Sequence, residues 1–208
     1  MSSEVRRRGV CLVVAAPSGA GKSSITRALL ASERQLELSI SATTRPPRPG
    51  ESDGIHYHFR TPEAFAVMVA QGAMLEWASV FGNSYGTPRV PVEAALEAGR
   101  DVVFDIDWQG HRQLRAALPG DVVGLFILPP SHGELARRLT WRGDPADVVE
   151  ARMALARAEM SHASEFDHIL VNDEFDRALA RMRAVLHAAQ IATARQTGLA
   201  AFLAAMEG

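Results

Sequence analysis

An apolar segment that leads directly into a loop of small residues constrains the fold of this 208-residue chain most strongly. Residues 10–15 read V-C-L-V-V-A, and residues 16–23 read A-P-S-G-A-G-K-S. This order predicts a buried strand, a tight loop and a helix that begins near Lys22. The backbone N–H groups of such a loop surround phosphate, Lys22 adds a positive charge, and the Ser23 hydroxyl can bind Mg²⁺. Ala16 stands where the usual pattern begins with glycine, and an ordinary strand-to-helix turn is the alternative interpretation.

The composition is typical of a single folded domain. Hydrophobic residues make up 47% of the chain, which is enough for one core, and the net charge of −2 gives no reason to expect a nucleic-acid or membrane partner. Cys11 is the one cysteine, so no internal disulfide can form, and its place in the first strand predicts a buried, unreactive thiol. His56 and His58 lack further ligands at metal-binding spacing, so we expect no zinc site.

The basic N-terminal segment has two interpretations. Arg6, Arg7 and Arg8 precede the apolar run, as in the charged start of a secretory signal. Cleavage after Ala15 or Ala16 would remove the strand that leads into the loop, so we interpret the run as a core strand. No segment approaches the length of a membrane span. We therefore expect a cytoplasmic protein.

Apolar runs alternate with helical patterns, which predicts an α/β fold of three layers with a central parallel sheet. The predicted strands are 10–16, 37–41, 101–106, 122–128 and 168–171. The predicted helices are 22–31, 91–98, 109–118, 131–140, 147–164 and 175–193, with Ser131 and Asp147 as N-caps.

Two stretches interrupt this alternation. Residues 42–87 begin with a proline-rich connector and continue as short alternating segments around a helix at 62–71, which predicts a small β-rich insertion. Residues 140–147 are polar and contain glycine and proline, which predicts a mobile lid over about 138–150. The expected organisation is one domain over 1–208, a core of about 8–41 and 88–193, and an accessory C-terminal tail at 194–208.

Acidic residues end the strand at 101–106. Asp105 and Asp107 both suit the acidic partner of a phosphate-binding loop, which holds Mg²⁺ directly or through water. Either carboxylate fits the metal side, and the alternative is that one of them only caps the next helix. Arg45 and Arg48, which prolines separate, predict a rigid clamp for an anion, with a solvated basic loop as the alternative.

Glu76 lies in the apolar sequence L-E-W-A, where a carboxylate is costly without a partner. Guanine offers adjacent N1–H and amino donors that suit its two oxygens, whereas adenine presents an acceptor at N1. An exposed glutamate on an edge strand is the alternative. Arginines also flank the predicted lid, where they can neutralise charge that develops on a transferring phosphate, with solvated charges as the alternative. They are Arg137, Arg138, Arg142 and Arg152.

Together these residues resemble the guanylate kinase family, P-loop kinases that phosphorylate GMP. The similar segments follow the expected order along nearly the whole chain. They are S-G-A-G-K-S-S (18–24), S-I-S-A-T-T-R-P-P-R-P-G-E (39–51), G-I-H-Y (54–57), E-W-A (76–78), G-N-S-Y-G-T (82–87), D-I-D-W-Q-G (105–110), R-R-L-T-W-R-G (137–143) and F-D-H-I-L-V-N-D (166–173). The pattern T-T-R-x-P-R-x-G-E followed by G-x-x-Y is highly specific to the family, whereas the P-loop alone is not.

The resemblance implies a P-loop core, a GMP-binding insertion and a helical lid, which together transfer the γ-phosphoryl group of MgATP to GMP or dGMP. Mg²⁺ is the implied cofactor and the nucleotides are the implied partners, without nucleic acid or membrane, and the oligomeric state is left open. The implied ATP-binding residues are Ala16, Pro17, Ser18, Gly19, Ala20, Gly21, Lys22, Ser23, Ser24, Asn172 and Asp173. The implied GMP-binding residues are Ser41, Arg45, Arg48, Tyr57, Glu76, Tyr85, Gly86, Thr87 and Asp107. The implied catalytic residues are Lys22, Arg45, Arg138, Arg142 and Arg152, and the implied Mg²⁺ ligands are Ser23 and Asp105.

Two other functions remain open from the sequence alone. A non-catalytic phosphopeptide-binding module can share this fold, but it would have no need of Lys22, Ser23 and the lid arginines. A related P-loop kinase for a phosphorylated sugar would not need Glu76 and Thr87 to recognise a purine.

Overall fold

The computed structural model describes residues 5–80, 82–141 and 145–206. The strands are β1 (Cys11–Ala15), β2 (Leu36–Leu38), β3 (Ala42–Thr43), β4 (His58–Phe59), β5 (Met74–Val80), β6 (Asn83–Pro88), β7 (Asp101–Asp105), β8 (Val122–Leu128) and β9 (His168–Val171). The α-helices are α1 (Lys22–Ser32), α2 (Pro62–Ala70), α3 (Arg89–Glu97), α4 (Trp108–Ala117), α5 (His132–Trp141), α6 (Ala146–Met160), α7 (Phe175–Gln190) and α8 (Leu199–Ala204).

The central sheet has five parallel strands in the order β2-β7-β1-β8-β9, as the alternating pattern predicts. β1 occupies the middle, so its residues pair on both sides: Val13 lies opposite Phe104 of β7 and Gly124 of β8. The carboxyl ends of parallel strands meet at one edge of the sheet, which is where ligands bind in this class of fold. The loops that follow β1 and β7 therefore lie side by side.

Helices cover both faces of this sheet. Leu12 and Val14 of β1 pack in one apolar cluster with Ile25 of α1 and Met182 of α7. The alternate residues Cys11, Val13 and Ala15 pack in a second cluster with α3 and α4. Burial on both faces explains why β1 is apolar at every position. Burial also raises the pKa of the Cys11 thiol to about 12, and the prediction that this cysteine is buried is confirmed.

A separate four-stranded sheet, in the order β4-β3-β6-β5, forms the predicted β-rich insertion. α2 begins after Thr61, whose hydroxyl accepts the N–H of Ala64, and Pro62 occupies its first turn. Phe65 of α2 is 3% exposed and packs with Ala42 and Met74 in a small core of its own.

The helices around the predicted lid differ in part from the sequence-based expectation. Ser131 caps α5, because its hydroxyl accepts the N–H of Glu134 at 3.1 Å. The prediction for Asp147 is wrong: α6 begins at Ala146 after Pro145, and Asp147 lies in the first turn, where its charge favours the helix dipole without capping. α6 ends at Met160 rather than continuing to 164, and β2 ends at Leu38 rather than 41. Residues 142–144 of the predicted lid lie outside the described residues.

The amino end of the central sheet is closed by paired charges. Asp101, at the start of β7, is fully buried. Its carboxylate accepts both terminal nitrogens of Arg7 at 2.7 and 2.9 Å, the N–H of Val10 at 2.8 Å and the amide of Gln190 at 2.7 Å. Every donor comes from the protein, so this charge is satisfied without a ligand.

The C-terminal tail is fastened to the same end. Arg195 is 7% exposed and donates to the carbonyl oxygens of Gly9 at 3.0 Å and Asp121 at 2.9 Å. Arg8 pairs with the Asp121 carboxylate at 2.9 Å, and the N–H of Gly198 donates to Arg6 O at 2.8 Å. The tail therefore stabilises the edge of the core. In the described ranges, no helix combines the length and the apolar character that a membrane crossing requires.

Candidate active site

The loop between β1 and α1 has the geometry of a phosphate-binding loop. Gly19 and Gly21 have φ angles of 91° and 95°, which residues with a Cβ adopt only with strain. A Cβ at Gly21 would also lie 2.3 Å from Nδ2 of Asn172. Gly21 precedes α1 without a capping side chain, and the first turn of α1 holds no acidic residue. The free N–H groups and the helix dipole therefore favour an anion at this end.

Two cavities share the glycines of this loop. The first, of about 360 Å³, is lined by Ala16, Pro17, Ser18, Gly19, Gly21, Lys22, Ser23, Ser24, Asp105 and Glu159. The second, of about 450 Å³, is lined by Gly19, Gly21, Ser24, Arg138, Trp141, Asn172, Asp173 and Phe175. The structure thus brings most of the predicted ATP-binding residues together, although Ala20 and Asn172, for example, are 152 positions apart in the sequence.

Lys22 and Asp105 form an ion pair at the carboxyl ends of β1 and β7. Their side chains are 23% and 41% exposed, so a phosphate or a cation from solvent can reach either partner. Ser23 lies in the first turn of α1 and is exposed. A hydroxyl and a carboxylate suit Mg²⁺, which takes one or two protein oxygens and completes its octahedron with phosphate and water. The described residues contain no cluster of three or more His, Cys, Asp or Glu side chains able to hold a metal.

Glu159 was missed by the sequence analysis. Its side chain lines the cavity beside Ser18 and Lys22. Burial raises the pKa of Glu159, while the Ser18 N–H and the charge of Lys22 oppose that shift. The residue sits among other charged residues on α6, and no sequence pattern distinguishes it from a solvated glutamate.

Arg45 lies in the proline-rich segment 44–51, which we call the arginine arm. Its guanidinium donates to Glu51 Oε1 at 2.8 Å and to the Pro46 carbonyl at 2.7 Å. The guanidinium carbon lies 5.4 Å from the ring centroid of Tyr57, and that ring meets Tyr85 edge-on at 6.2 Å. Three of the predicted phosphate-binding residues therefore form one cluster of donors.

Glu51 orders the arginine arm, a role that the sequence analysis did not assign. Its second oxygen accepts the backbone N–H of Arg48 at 2.7 Å, while the first accepts Arg45. The Arg45 side chain and the Arg48 N–H lower the pKa of Glu51 to about 2, so it stays ionised. The side chain of Arg48 is exposed. The sequence did contain a signal for this role, because Glu51 is the last residue of the continuous segment T-T-R-P-P-R-P-G-E.

Glu76 and Thr87 face each other on β5 and β6. They are direct partners across the two strands, and the Thr87 hydroxyl donates to Glu76 Oε1 at 2.7 Å. Glu76 is 6% exposed, so the interpretation as an exposed glutamate is wrong. Burial raises its pKa, the Thr87 hydroxyl opposes that shift, and the charge of Asp107 adds to it. Gly86, next to Thr87, pairs with Trp77 on the neighbouring strand.

α4 covers the edge strand β5 and explains why Glu76 is buried. The side chain of Gln113 accepts the N–H of Trp77 at 3.1 Å and donates to its carbonyl at 3.0 Å, as a paired strand would. A Cβ at Gly110 would lie 3.2 Å from Glu76 Oε2, so the helix approaches the carboxylate closely. Pairing of a free edge by a side chain depends on tertiary contact, which periodicity along the sequence does not report.

Asp107 caps α4, since its Oδ1 accepts the N–H of Gly110 at 2.9 Å. Its charge also contributes to the raised pKa of both Glu76 and Glu159. Asp107 therefore lies within electrostatic reach of the insertion on one side and of the P-loop cavity on the other. Asp105, by contrast, lines the P-loop cavity itself.

The arginines near the predicted lid differ from one another in their surroundings. Arg137 and Arg138 both donate to Glu134, whose pKa they lower to about 2. Arg138 also donates to the carbonyl of Asn172 at 3.2 Å, which ties α5 to the loop after β9. Arg152 is half-buried on α6. Arg142 lies outside the described residues.

Ser41 precedes β3, where its carbonyl accepts the N–H of His58 at 2.9 Å.

A parallel sheet with a glycine loop and an uncapped helix at its carboxyl edge defines a P-loop nucleotide-binding protein. Comparisons with known proteins narrow this class. The family model described as guanylate kinase matches residues 8–189. This chain belongs to the guanylate kinase family, which confirms the resemblance seen in the sequence.

Individual relatives agree with that assignment along nearly the full length of the chain. Guanylate kinases of Granulibacter bethesdensis and Gluconobacter oxydans are each 60% identical to the chain, over 193 and 198 residues. The alignments cover 93% and 95% of this chain and 91% and 95% of those proteins. The crystal structure of guanylate kinase from Anaplasma phagocytophilum matches with a TM-score of 0.76 and 34% identity, over 97% of this chain and 96% of that one.

Proposed function

We propose that this protein transfers the γ-phosphoryl group of MgATP to GMP or dGMP, giving ADP and GDP or dGDP. Family membership supports the reaction, and the buried Glu76–Thr87 pair carries the choice of acceptor. An ionised carboxylate has about four acceptor positions. Thr87 uses one of them, so Glu76 can also accept the adjacent N1–H and amino donors of guanine. Adenine would place its N1 lone pair against the carboxylate, and neither N1 nor the carboxylate would then receive a hydrogen bond from the other.

The phosphate of GMP would be held by the arginine arm and two tyrosines. Arg45 is preorganised by Glu51 and Pro46, so little side-chain entropy is lost when it binds an anion. Arg48, Tyr57 and Tyr85 supply further donors around the same position. Ser41 and Gly86 would lie beside the guanine base. Asp107 would lie between the GMP site and the ATP site.

The triphosphate of ATP would be held by the loop from Ala16 to Ser24, with Lys22 as the positive charge. Asp105 now pairs with Lys22, and ATP binding would exchange that partner for phosphate oxygens. Ser23 and Asp105 would hold Mg²⁺ directly or through water. When bound, the ion neutralises charge on the transferring phosphoryl group. Asn172 and Asp173 would lie near the adenine.

The chemical step needs no covalent intermediate with the protein. A phosphate oxygen of GMP attacks the γ-phosphorus in line, and the bond from that phosphorus to the β,γ-bridging oxygen breaks, so that ADP leaves with the bonding electrons. The enzyme contributes position and positive charge. Lys22 would contact the phosphates of ATP, and Arg45 would contact the phosphate of GMP. Arg138, Arg142 and Arg152 would complete the positive charge around the transferring phosphoryl group. Closure of the lid would exclude water and so suppress hydrolysis of ATP. These parts suit a cytoplasmic enzyme of purine nucleotide metabolism that has no nucleic-acid or membrane partner.

A panel of acceptors tests this function. ADP release is measured by a coupled assay with ATP and GMP, dGMP, AMP or ribose 5-phosphate, each against a blank without acceptor. We expect rapid, stoichiometric ADP formation with GMP and dGMP and rates near the blank with AMP and ribose 5-phosphate. Equal rates with ribose 5-phosphate would favour a sugar phosphate kinase. ADP release at the blank rate with every acceptor would favour a binding module.

A further inference from the structure

We propose that Gln113 is a positioning residue for acceptor recognition, because it holds the strand that carries Glu76 against the central core. This inference rests on the proposed function, in which Glu76 accepts the hydrogen-bond donors of guanine. Gln113 lies on α4 and acts through the backbone of Trp77, the residue that follows Glu76 on β5. Its effect is therefore on where the carboxylate lies.

Gln113 pairs with the outer edge of β5. This strand forms one edge of the four-stranded sheet, whose order is β4-β3-β6-β5. The Gln113 side-chain amide accepts the N–H of Trp77 at 3.1 Å and donates to the carbonyl of the same residue at 3.0 Å. One side chain thus occupies both backbone groups, as an opposite residue does in an antiparallel ladder. The edge strand is fixed at the residue next to Glu76.

β5 passes from one hydrophobic core to the other just before Glu76. Met74 packs in the small core of the insertion. The next residue, Leu75, is 4% exposed and packs with Phe104 of β7 and Leu114 of α4 in a core cluster of the central sheet. The pairing of β5 with β6 shifts in register between Met74 and Glu76, as at a β-bulge. Glu76 therefore lies between two attachments to the central core, one apolar and one through Gln113.

α4 sets the distance between this strand and the core. Asp107 caps the helix, and Leu114, next to Gln113, is fully buried. Gly110 and Gln113 are three residues apart and so lie on one face of the helix. A Cβ at Gly110 would lie 3.2 Å from Glu76 Oε2, which shows that this face meets β5 closely. Without the amide of Gln113, the edge of β5 could move away from α4 and take the carboxylate with it.

The position of Glu76 matters most for the amino group of guanine. The carboxylate is 6% exposed and already accepts the hydroxyl of Thr87, so its remaining acceptor positions have fixed directions. Guanine and hypoxanthine both carry N1–H, but only guanine has the adjacent amino group. A second hydrogen bond that must form beside the first depends on exact placement. The preference for GMP over IMP, the monophosphate of hypoxanthine, should therefore depend on Gln113.

A binding experiment with an isosteric variant tests the role of Gln113. Gln113→Met removes both hydrogen bonds and keeps a side chain of similar length. Isothermal titration calorimetry without ATP gives the dissociation constants of GMP and IMP. We expect the preference for GMP over IMP to fall on the order of tenfold, the value of one hydrogen bond to a charged group. Gln71→Met is the matched control, since Gln71 is an exposed glutamine after α2 of the insertion, and its preference should stay within about twofold of the wild type.

Gln113→Glu tests the hydrogen bond to the Trp77 carbonyl. Its carboxylate can still accept the N–H of Trp77 but has no proton to donate to the carbonyl oxygen. We expect the preference for GMP over IMP to fall at least as far as in Gln113→Met. In steady-state assays, the KM for ATP should stay within about twofold of the wild type in both variants, because neither hydrogen bond involves the loop after β1.

Amide hydrogen exchange tests the contact itself without any ligand. The N–H of Trp77 should exchange on the order of tenfold faster in Gln113→Met than in the wild type, because its hydrogen-bond acceptor is lost. Equal exchange rates would overturn the proposal. Equal weakening of GMP and IMP binding would also overturn it, since Gln113 would then only stabilise the insertion.

The same titrations separate this proposal from the proposed function. A wild type that binds GMP no more tightly than IMP would contradict the role of Glu76 in the proposed function. A wild type that prefers GMP, together with a Gln113→Met variant that keeps this preference, would contradict the role of Gln113 alone.

Discussion

Each end of the central sheet carries an aspartate that pairs with a basic side chain. The aspartate at the amino end is buried, and the aspartate at the carboxyl end is exposed. At the amino end, Asp101 accepts four donors from the protein and its side chain is 1% exposed. At the carboxyl end, Asp105 pairs with Lys22, and its side chain is 41% exposed. Charges that stabilise the fold are buried with fixed partners, whereas the charges that we propose to bind substrates stay within reach of solvent. A mutation at one end should therefore affect stability, and a mutation at the other should affect turnover.

Lys22→Ala should have the largest effect. We expect kcat to fall about a thousandfold, because the transferring phosphoryl group would lose the positive charge that the proposed function assigns to Lys22. The thermal midpoint should change little, since the exposed Asp105 can be solvated. A coupled ADP assay and thermal unfolding followed by circular dichroism measure both quantities. Turnover near that of the wild type would reject the role of Lys22.

Asp101→Asn should show the reverse pattern. Removal of a buried charge from its pair leaves the Arg7 guanidinium poorly compensated, and we expect the free energy of unfolding to fall by about 3 kcal/mol. The kcat of the folded enzyme should stay within about twofold of the wild type, because Asp101 lies at the far edge of the sheet. Urea unfolding with an activity assay at low temperature tests this. A large loss of kcat without loss of stability would break the comparison.

Glu76→Gln should reduce the preference for GMP over AMP. A neutral amide replaces one acceptor oxygen with a donor, which costs about 2 kcal/mol of discrimination, or roughly thirtyfold in the ratio of kcat/KM values. The KM for ATP provides the internal control and should be unchanged. If the ratio of the two acceptors stays the same, Glu76 does not recognise the base.

His111 should make the smallest contribution, through the dependence of stability on pH. Within the described residues its two ring nitrogens have no hydrogen-bond partner, and the ring stacks on Phe166 with centroids 4.0 Å apart. Burial lowers the pKa of His111, the charge of Arg115 lowers it further, and Asp167 and Glu165 oppose the shift.

The folded pKa of His111 is thus below its unfolded value of about 6.5. Its contribution to stability is complete above about pH 6.5 and is lost as the pH falls through the folded pKa. Between pH 8 and pH 5, urea unfolding should show the wild type losing more of its free energy of unfolding than His111→Phe, which cannot titrate. Parallel pH profiles for the two proteins would show that His111 is not the group responsible.

Local sequence predicts the features that contiguous residues build. The glycine loop between β1 and α1, the five parallel strands and the separate β-rich sheet follow from residues that are neighbours in the chain, and the structure contains each of them. The paired charges at the amino end could not be predicted in this way. Arg7 meets Asp101 across 94 positions, and Arg195 meets Gly9 across 186 positions. No periodicity or spacing rule relates residues so far apart.

The candidate site likewise combines features that local sequence predicts with features that depend on contacts between distant residues. The arginine arm is a continuous motif, so its charges were visible in the sequence. The burial of Glu76 was not, because Gln113 of α4 covers β5 from 36 residues away. Glu159 likewise reaches the P-loop only through the packing of α6. Residue type predicted what these groups can bind, and tertiary contact decided which of them are placed to do so.

The most direct test is a crystal structure of the protein with GMP and a non-hydrolysable ATP analogue bound together. We expect Lys22 to leave Asp105 for the phosphates of the analogue, the arginine arm to contact the phosphate of GMP, and both Glu76 oxygens to lie within hydrogen-bonding distance of guanine. A complex in which the GMP phosphate lies away from Arg45 and Arg48, with the Lys22–Asp105 pair intact, would contradict the account.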